Sequence, residues 1–124
     1  MRKSLPGCYA KQLFLLLILF PLVCLAQSPR IKDSETGAHV GQRVVVEGTV
    51  ASVFTSRSGN TFLSFGAAYP NQDFTAVIFS EDAGLFSNVE QLQGKRVEVS
   101  GVVRIYRGKP EIILRSGAQL RRLD

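Results

Sequence analysis

From residue 43 onward, apolar residues mostly recur at every second position. Arg43–Phe54 (RVVVEGTVASVF) sets Val44, Val46 and Val50 on one face and Glu47 and Thr49 on the other, the two-residue period of a half-buried strand. Gly48 falls inside this run, where a missing side chain permits a bend or bulge. Thr55–Asn60 is a polar turn, and Thr61–Gly66 (TFLSFG) is a second strand. Ala67–Gln72 is a loop marked by Pro70-Asn71. Asp73–Ser80 (DFTAVIFS) is apolar on both faces near Val77-Ile78-Phe79, which predicts a central third strand. Lys95–Tyr106 (KRVEVSGVVRIY) alternates again, Val97, Val99, Val103 and Ile105 against Glu98, Ser100, Arg104 and Tyr106, with Gly101 in its middle. Arg107–Pro110 is a tight hairpin leading into a last strand, Glu111–Arg115.

One segment follows a different period. In Glu81–Gln93, Leu85, Phe86, Val89 and Leu92 recur at offsets of three, four and seven, which predicts an amphipathic helix. Ser80 suits its N-cap, Glu81 and Asp82 its first turn, and Gly94 its end. Gln27–His39 is polar, with Pro29, Ser34, Thr36 and Gly37, and predicts an extended lead-in to a domain over residues 40–124.

The element order is then three strands, a helix and two strands. The first and last long strands each carry a central glycine. Long bent strands can serve both halves of a small closed barrel, and closure removes exposed edges. The expected fold class is all-β with little helix: a five-stranded Greek-key OB-fold barrel with one helix between strands three and four. An SH3-like barrel or an open α+β sheet is the alternative.

Composition changes the picture at the N-terminus. The chain has 124 residues and a formal charge of +5, but its first 26 residues hold three cations (Arg2, Lys3, Lys11), no acid and both cysteines, Cys8 and Cys24. Leu13–Cys24 is an unbroken apolar run, and Cys24-Leu25-Ala26 places small residues at the −3 and −1 positions of a cleavage after Ala26. That order predicts a signal peptide over residues 1–26 and a periplasmic or secreted protein. The run is too short for a ~30 Å membrane core. The remaining 98 residues carry twelve cations, ten acids and no cysteine, a charge of +2. This excludes a disulfide framework, a Cys-ligated metal and a thiol nucleophile in the mature chain.

Several blocks together carry a family resemblance: Val46-Glu47-Gly48-Thr49-Val50, Thr61–Gly66, Tyr69-Pro70, Phe74–Phe79, Leu92–Lys95, Val99–Val103 and Tyr106–Ile112. Over residues 40–114 the chain is similar to the OB-fold nucleic-acid-binding module of some secreted bacterial sugar-non-specific nucleases, a module that also occurs in stand-alone exported proteins. The resemblance implies an OB barrel outside the cytoplasm and contact with nucleic acid. It implies no nuclease activity, which resides in other domains of those enzymes.

The residues themselves offer little for catalysis. His39 is the sole histidine and sits in the lead-in, and the acids are scattered. The expectation is no enzyme, no cofactor and no metal. OB folds bind oligonucleotides or oligosaccharides on the face of strands two and three, between the loop joining strands one and two and the loop joining strands four and five. Arg57 lies in the first loop and Arg107 and Lys109 in the second, with Arg104 beside it. Phe62, Tyr69, Phe74 and Tyr106 are candidate stacking rings. Each has a packing alternative: Phe62 faces opposite to Leu63 and Phe65, and Phe74 shares parity with Ala76 and Ile78 and suits the core equally. The expected ligand is DNA or RNA, single-stranded or structured, bound by a monomer with low specificity. The alternative is an exported protein or glycan partner on the same face.

Overall fold

The computed structural model describes residues 27–124, so the expected signal peptide over residues 1–26 lies outside the described residues. Eight strands follow one another: β1 (Arg30–Lys32), β2 (Arg43–Thr55), β3 (Thr61–Phe65), β4 (Phe74–Ile78), β5 (Arg96–Val102), β6 (Arg104–Tyr106), β7 (Lys109–Ile113) and β8 (Leu120–Arg122). They pair in the order β6-β7-β4-β3-β2-β5-β8, with β1 added to β2. The pairs β1/β2 and β4/β7 are parallel and the others antiparallel.

The chain is all-β and OB-like, but the expected five strands closed into a barrel are an eight-stranded open path. The three additional strands have identifiable sources. The lead-in supplies β1, whose Ile31 is buried beside Val46. The expected fourth strand divides at Val103 into β5, which pairs with β2, and β6, which pairs with β7. The C-terminal tail supplies β8 along β5.

Besides its short pairing with β1, thirteen-residue β2 serves two neighbours. Arg43–Thr49 pairs with β5, and Val50–Thr55 pairs with β3. The register shifts between Val50 and Ser52, so Ala51 is the extra residue of a bulge. Gly48 is not that bulge. A Cβ there would lie 2.9 Å from Cγ of Asp33 and 3.0 Å from Cδ2 of Phe65, so its place is kept by crowding. Gly101 faces Ile112, where a Cβ would come to 2.6 Å of Cγ2.

The expected helix over Glu81–Gln93 is absent. Two short 3-10 helices, Ser80–Leu85 and Val89–Leu92, stand in its place. Gly84 and the Ser87-Asn88 pair favour helix weakly, and Asn88 is left-handed at φ 57°. Phe86, Val89 and Leu92 pack on the core while Leu85 is exposed.

The core is the inward set of the alternating strands: Val44, Val46 and Val50 from β2, Leu63 and Phe65 from β3, Phe74, Ala76 and Ile78 from β4, Val97 and Val99 from β5, with Val103, Ile112 and Leu114. The Phe65 and Phe74 rings meet at 5.2 Å between centroids. Ile105, expected on the same face, is exposed because β6 is the edge of the path and extends past the core.

Candidate functional site

Residues paired across neighbouring strands share a face of the sheet, so the register assigns the side away from the core. One row there is Phe54–Phe62–Val77–Ile113, running across β2, β3, β4 and β7. The next row is Ser52–Ser64–Thr75–Glu111–Arg104, which reaches β6. Tyr106 and Lys109 pair one step further along. The face thus passes from apolar rings, through short hydroxyls and one carboxylate, to cations.

Its floor is closely covered. Val77, Ser64, Thr75 and Glu111 are all buried although none points into the core. Phe54 is 62% exposed at the end of its row, and its ring lies 6.4 Å from that of Phe62 at an interplanar angle of 23°. The sequence pattern misses Phe54, because its even number matches the core positions Val44, Val46 and Val50. The Ala51 bulge reverses the parity and turns Phe54 outward.

The cations occupy opposite ends of the face. The β2–β3 turn carrying Arg57 adjoins the Thr61–Ile78 pair, and exposed Arg115 follows β7 at that end. The β6–β7 turn carrying Arg107 lies toward the Phe65–Phe74 end, beside the β3–β4 loop and its 76%-exposed Tyr69. About 15 Å of strand separates the two ends. Arg57 on one side and Arg107 and Lys109 on the other thus form two poles of the face.

At the second pole the side chains are tightly engaged. Arg104 Nε lies 3.0 Å from Oε2 of Glu111. Burial pushes the Glu111 carboxyl above its ordinary value, with the Arg104 charge pulling it only part of the way back. The Arg104 and Arg107 guanidiniums stand 5.8 and 5.3 Å from the centre of the half-exposed Tyr106 ring, within cation–π distance. Lys109 Nζ donates to the main-chain oxygen of Gln72 at 3.0 Å. Arg107 is left-handed at φ 51° and is followed by Gly108 at φ 81°, a two-residue turn matched to the strand twist.

Of the eight expected contact residues, seven border this face or its loops. Phe74 does not. Its ring is fully buried against Phe65, because its parity partners Ala76 and Ile78 face the core, so it is a packing residue. His39 hydrogen-bonds Gln42 at 2.9 Å in the turn ahead of β2. Among the described residues no three His, Cys, Asp or Glu side chains converge as metal ligands.

The opposite part of the sheet is laced by ion pairs. Glu98 on β5 is buried between Arg30 of β1 and Arg121 of β8. Arg96 bridges Glu47 at 2.7 Å and Asp124 at 3.2 Å. The Arg121-Arg122 pair is thereby part of a strand, with Arg122 Nε donating to the Asp124 oxygen.

The sequence matches no protein-family model and no curated protein. Solved structures resemble the fold. An OBody (AM1L10) bound to hen egg-white lysozyme aligns at a TM-score of 0.58 and 18% identity, over 82% of this chain and 99% of that one. A protein assigned as an aspartyl-tRNA synthetase of Leishmania major Friedlin aligns at 0.54 and 12% identity, over 82% of this chain and 22% of that one. The Stn1-ten1 complex of S. pombe aligns at 0.50 and 17% identity, over 65% and 57%. The chain thus spans about a fifth of the synthetase. At these identities the likeness is one of fold, and that fold is OB-like.

Proposed function

We propose that this chain is an exported, non-enzymatic OB module that binds single-stranded nucleic acid with its β3–β4–β7 face. In this reading β5 and β6 act as one strand bent at Val103, which brings the path round into the five-stranded barrel of that fold. The single observation that carries the reading is the Phe54–Phe62 ring pair, solvent-exposed at its outer end, on a face with arginines at both poles. Bases stack on such rings for roughly 1–3 kcal/mol each, whatever their sequence. Arg57 and Arg115 at one pole and Arg107 and Lys109 at the other hold the phosphates on either side. The OB-like fold is shared with the synthetase structure, and the resemblance to the exported nuclease-associated module points toward nucleic acid.

Fluorescence anisotropy with a labelled single-stranded oligonucleotide at low and physiological salt tests this. Saturable binding is expected, with log K falling against log[salt] by about 0.7 per phosphate contact. Phe54→Ala with Phe62→Ala is expected to weaken it tenfold or more. Absence of binding at low salt overturns the reading and favours a protein or glycan partner on this face.

A further inference from the structure

The outer surface continues beyond the face that carries Phe54 and Phe62. Across β2 it passes onto β1, β5 and β8, where the register sets four rows pointing away from the core. Each row brings a cation: Arg43 in the first, Arg30 in the second, Lys32 and Arg121 in the third, Arg96 in the fourth. Acids stand only in the third row, and both are engaged by the fold. Glu98 is buried between Arg30 and Arg121, and Glu47 holds Arg96. These arginines remain half-exposed or more despite their pairs. Lys32 and Arg43 are exposed and make no ion pair among the described residues. Five accessible cations thus spread over roughly 14 by 20 Å of sheet. A groove of about 620 Å³ opens where this surface meets the ring face. Arg30 and Lys32 line it from β1, Arg96 from β5, Thr49 and Ala51 from β2, and Gly66 at the end of β3. Ala51 is the bulge that turns Phe54 outward, so groove and ring pair lie along one strand, about 10 Å apart. Three acids also border the groove, each holding a donor of the protein. Glu47 pairs with Arg96, Glu35 accepts the Lys32 main-chain N–H at 2.8 Å, and Asp33, half-buried against Gly48, accepts the Ser34 N–H at 3.0 Å.

We propose that a bound single strand runs on from the ring pair over the Ala51 bulge, through this groove and onto the β1–β2–β5–β8 face, where the five cations hold its phosphates. The inference rests on the nucleic-acid reading above and sets the length of strand that the protein takes. The cations are spread over the face and not gathered at one point, so an extended polyanion meets more of them than a compact anion can. The twisted sheet turns away from the ring face across β2. A flexible single strand follows that course, and a duplex, with a persistence length of about 150 base pairs, does not.

The test titrates the protein with oligothymidines of about four and about sixteen nucleotides, the two ends of the range that one OB fold covers, at several salt concentrations. Extra binding registers on a long strand raise its affinity without altering its salt slope, whereas added phosphate contacts raise both. For the long strand we expect a slope of log K against log[salt] steeper by about 2, as three added contacts give. Lys32→Ala with Arg43→Ala breaks no ion pair of the fold and melts near the parent temperature. It weakens the long strand roughly tenfold and flattens its slope by about 1.4, while the short strand loses far less. Equal slopes for the two lengths in the parent protein overturn the inference and leave the nucleic-acid reading standing, whether or not the variant folds. A folded double variant that binds the long strand as the parent does, or that loses both lengths alike, also overturns it. No binding at either length overturns both.

Discussion

Arg104 and Glu111 face each other across β6 and β7, 3.0 Å apart, and the carboxylate is the buried partner. The acid thus neutralises a cation on the face proposed for phosphate contact. Glu111→Gln frees Arg104, and we expect several-fold tighter oligonucleotide binding with a salt slope steeper by about 0.7. Anisotropy titrations at two salt concentrations check this; unchanged affinity and slope would detach Arg104 from binding.

The same carboxyl sets a pH dependence. Its folded value is raised above 4.5 by desolvation, with Arg104 opposing. The folded protein then holds this proton more firmly than the unfolded chain. The associated stability is present below about 4.5 and is lost as pH rises through the raised folded value. Protonation also releases Arg104, so oligonucleotide affinity rises on mild acidification in that window. In Glu111→Gln this part of the pH response is absent, which parallel titrations of parent and variant measure.

Gly48 holds Asp33 and Phe65 within 3.0 Å of where a Cβ would stand. Gly48→Ala is expected to destabilise by about 1–3 kcal/mol. For a domain of this size each kcal/mol lowers Tm by roughly 4–8 °C. Asp33→Ala in the same chain returns part of the loss, since Phe65 still crowds the site. A thermal melt of the parent and the two variants reads it.

Arg107 separates turn strain from charge. A left-handed non-glycine residue is held at a penalty of roughly 1 kcal/mol, which asparagine lessens. Arg107→Asn is expected to melt at or above the parent temperature while binding oligonucleotide more weakly. Arg107→Ala loses the charge without easing the turn. A parallel loss of stability and binding in Arg107→Asn would show the side chain to be structural.

Glu98 is buried beside two half-exposed arginines, so the consequences of its partners' loss are unequal. Arg30→Ala with Arg121→Ala leaves a carboxylate buried and unpaired, which costs about 3–5 kcal/mol. Glu98→Gln releases two arginines to water and costs much less. Urea denaturation of the two variants ranks them; the reverse order would mean the arginine stems, not the charge, are what the fold uses.

Alternation made most of the sheet legible. The inward valines of β2 and β5 follow from parity in sequence and the central position of β4 from its apolar run, while parity set Phe62 opposite Leu63 and Phe65 without deciding which side faced outward. What escaped depends on one-residue events. The Ala51 bulge carries no distinctive residue, yet it turns Phe54 from an apparent core position to the face. The apolar spacing of Glu81–Gln93 fits a helix, but left-handed Asn88 breaks the segment into two short 3-10 turns. The strands β1 and β8 are three residues each, too short for a period to show, and they owe their places to pairing with longer neighbours.

Val103 alone stands between β5 and β6, where the chain leaves β2 and joins β7. Side chains alternate along a strand, so one inserted residue there would exchange the two sides of β6. Arg104 and Tyr106 would turn inward and Ile105 would take their place on the face. The length of this stretch is therefore fixed by the face that Arg104 and Tyr106 present. A gap or insertion at this point in a relative would mark a protein whose face recognises something else.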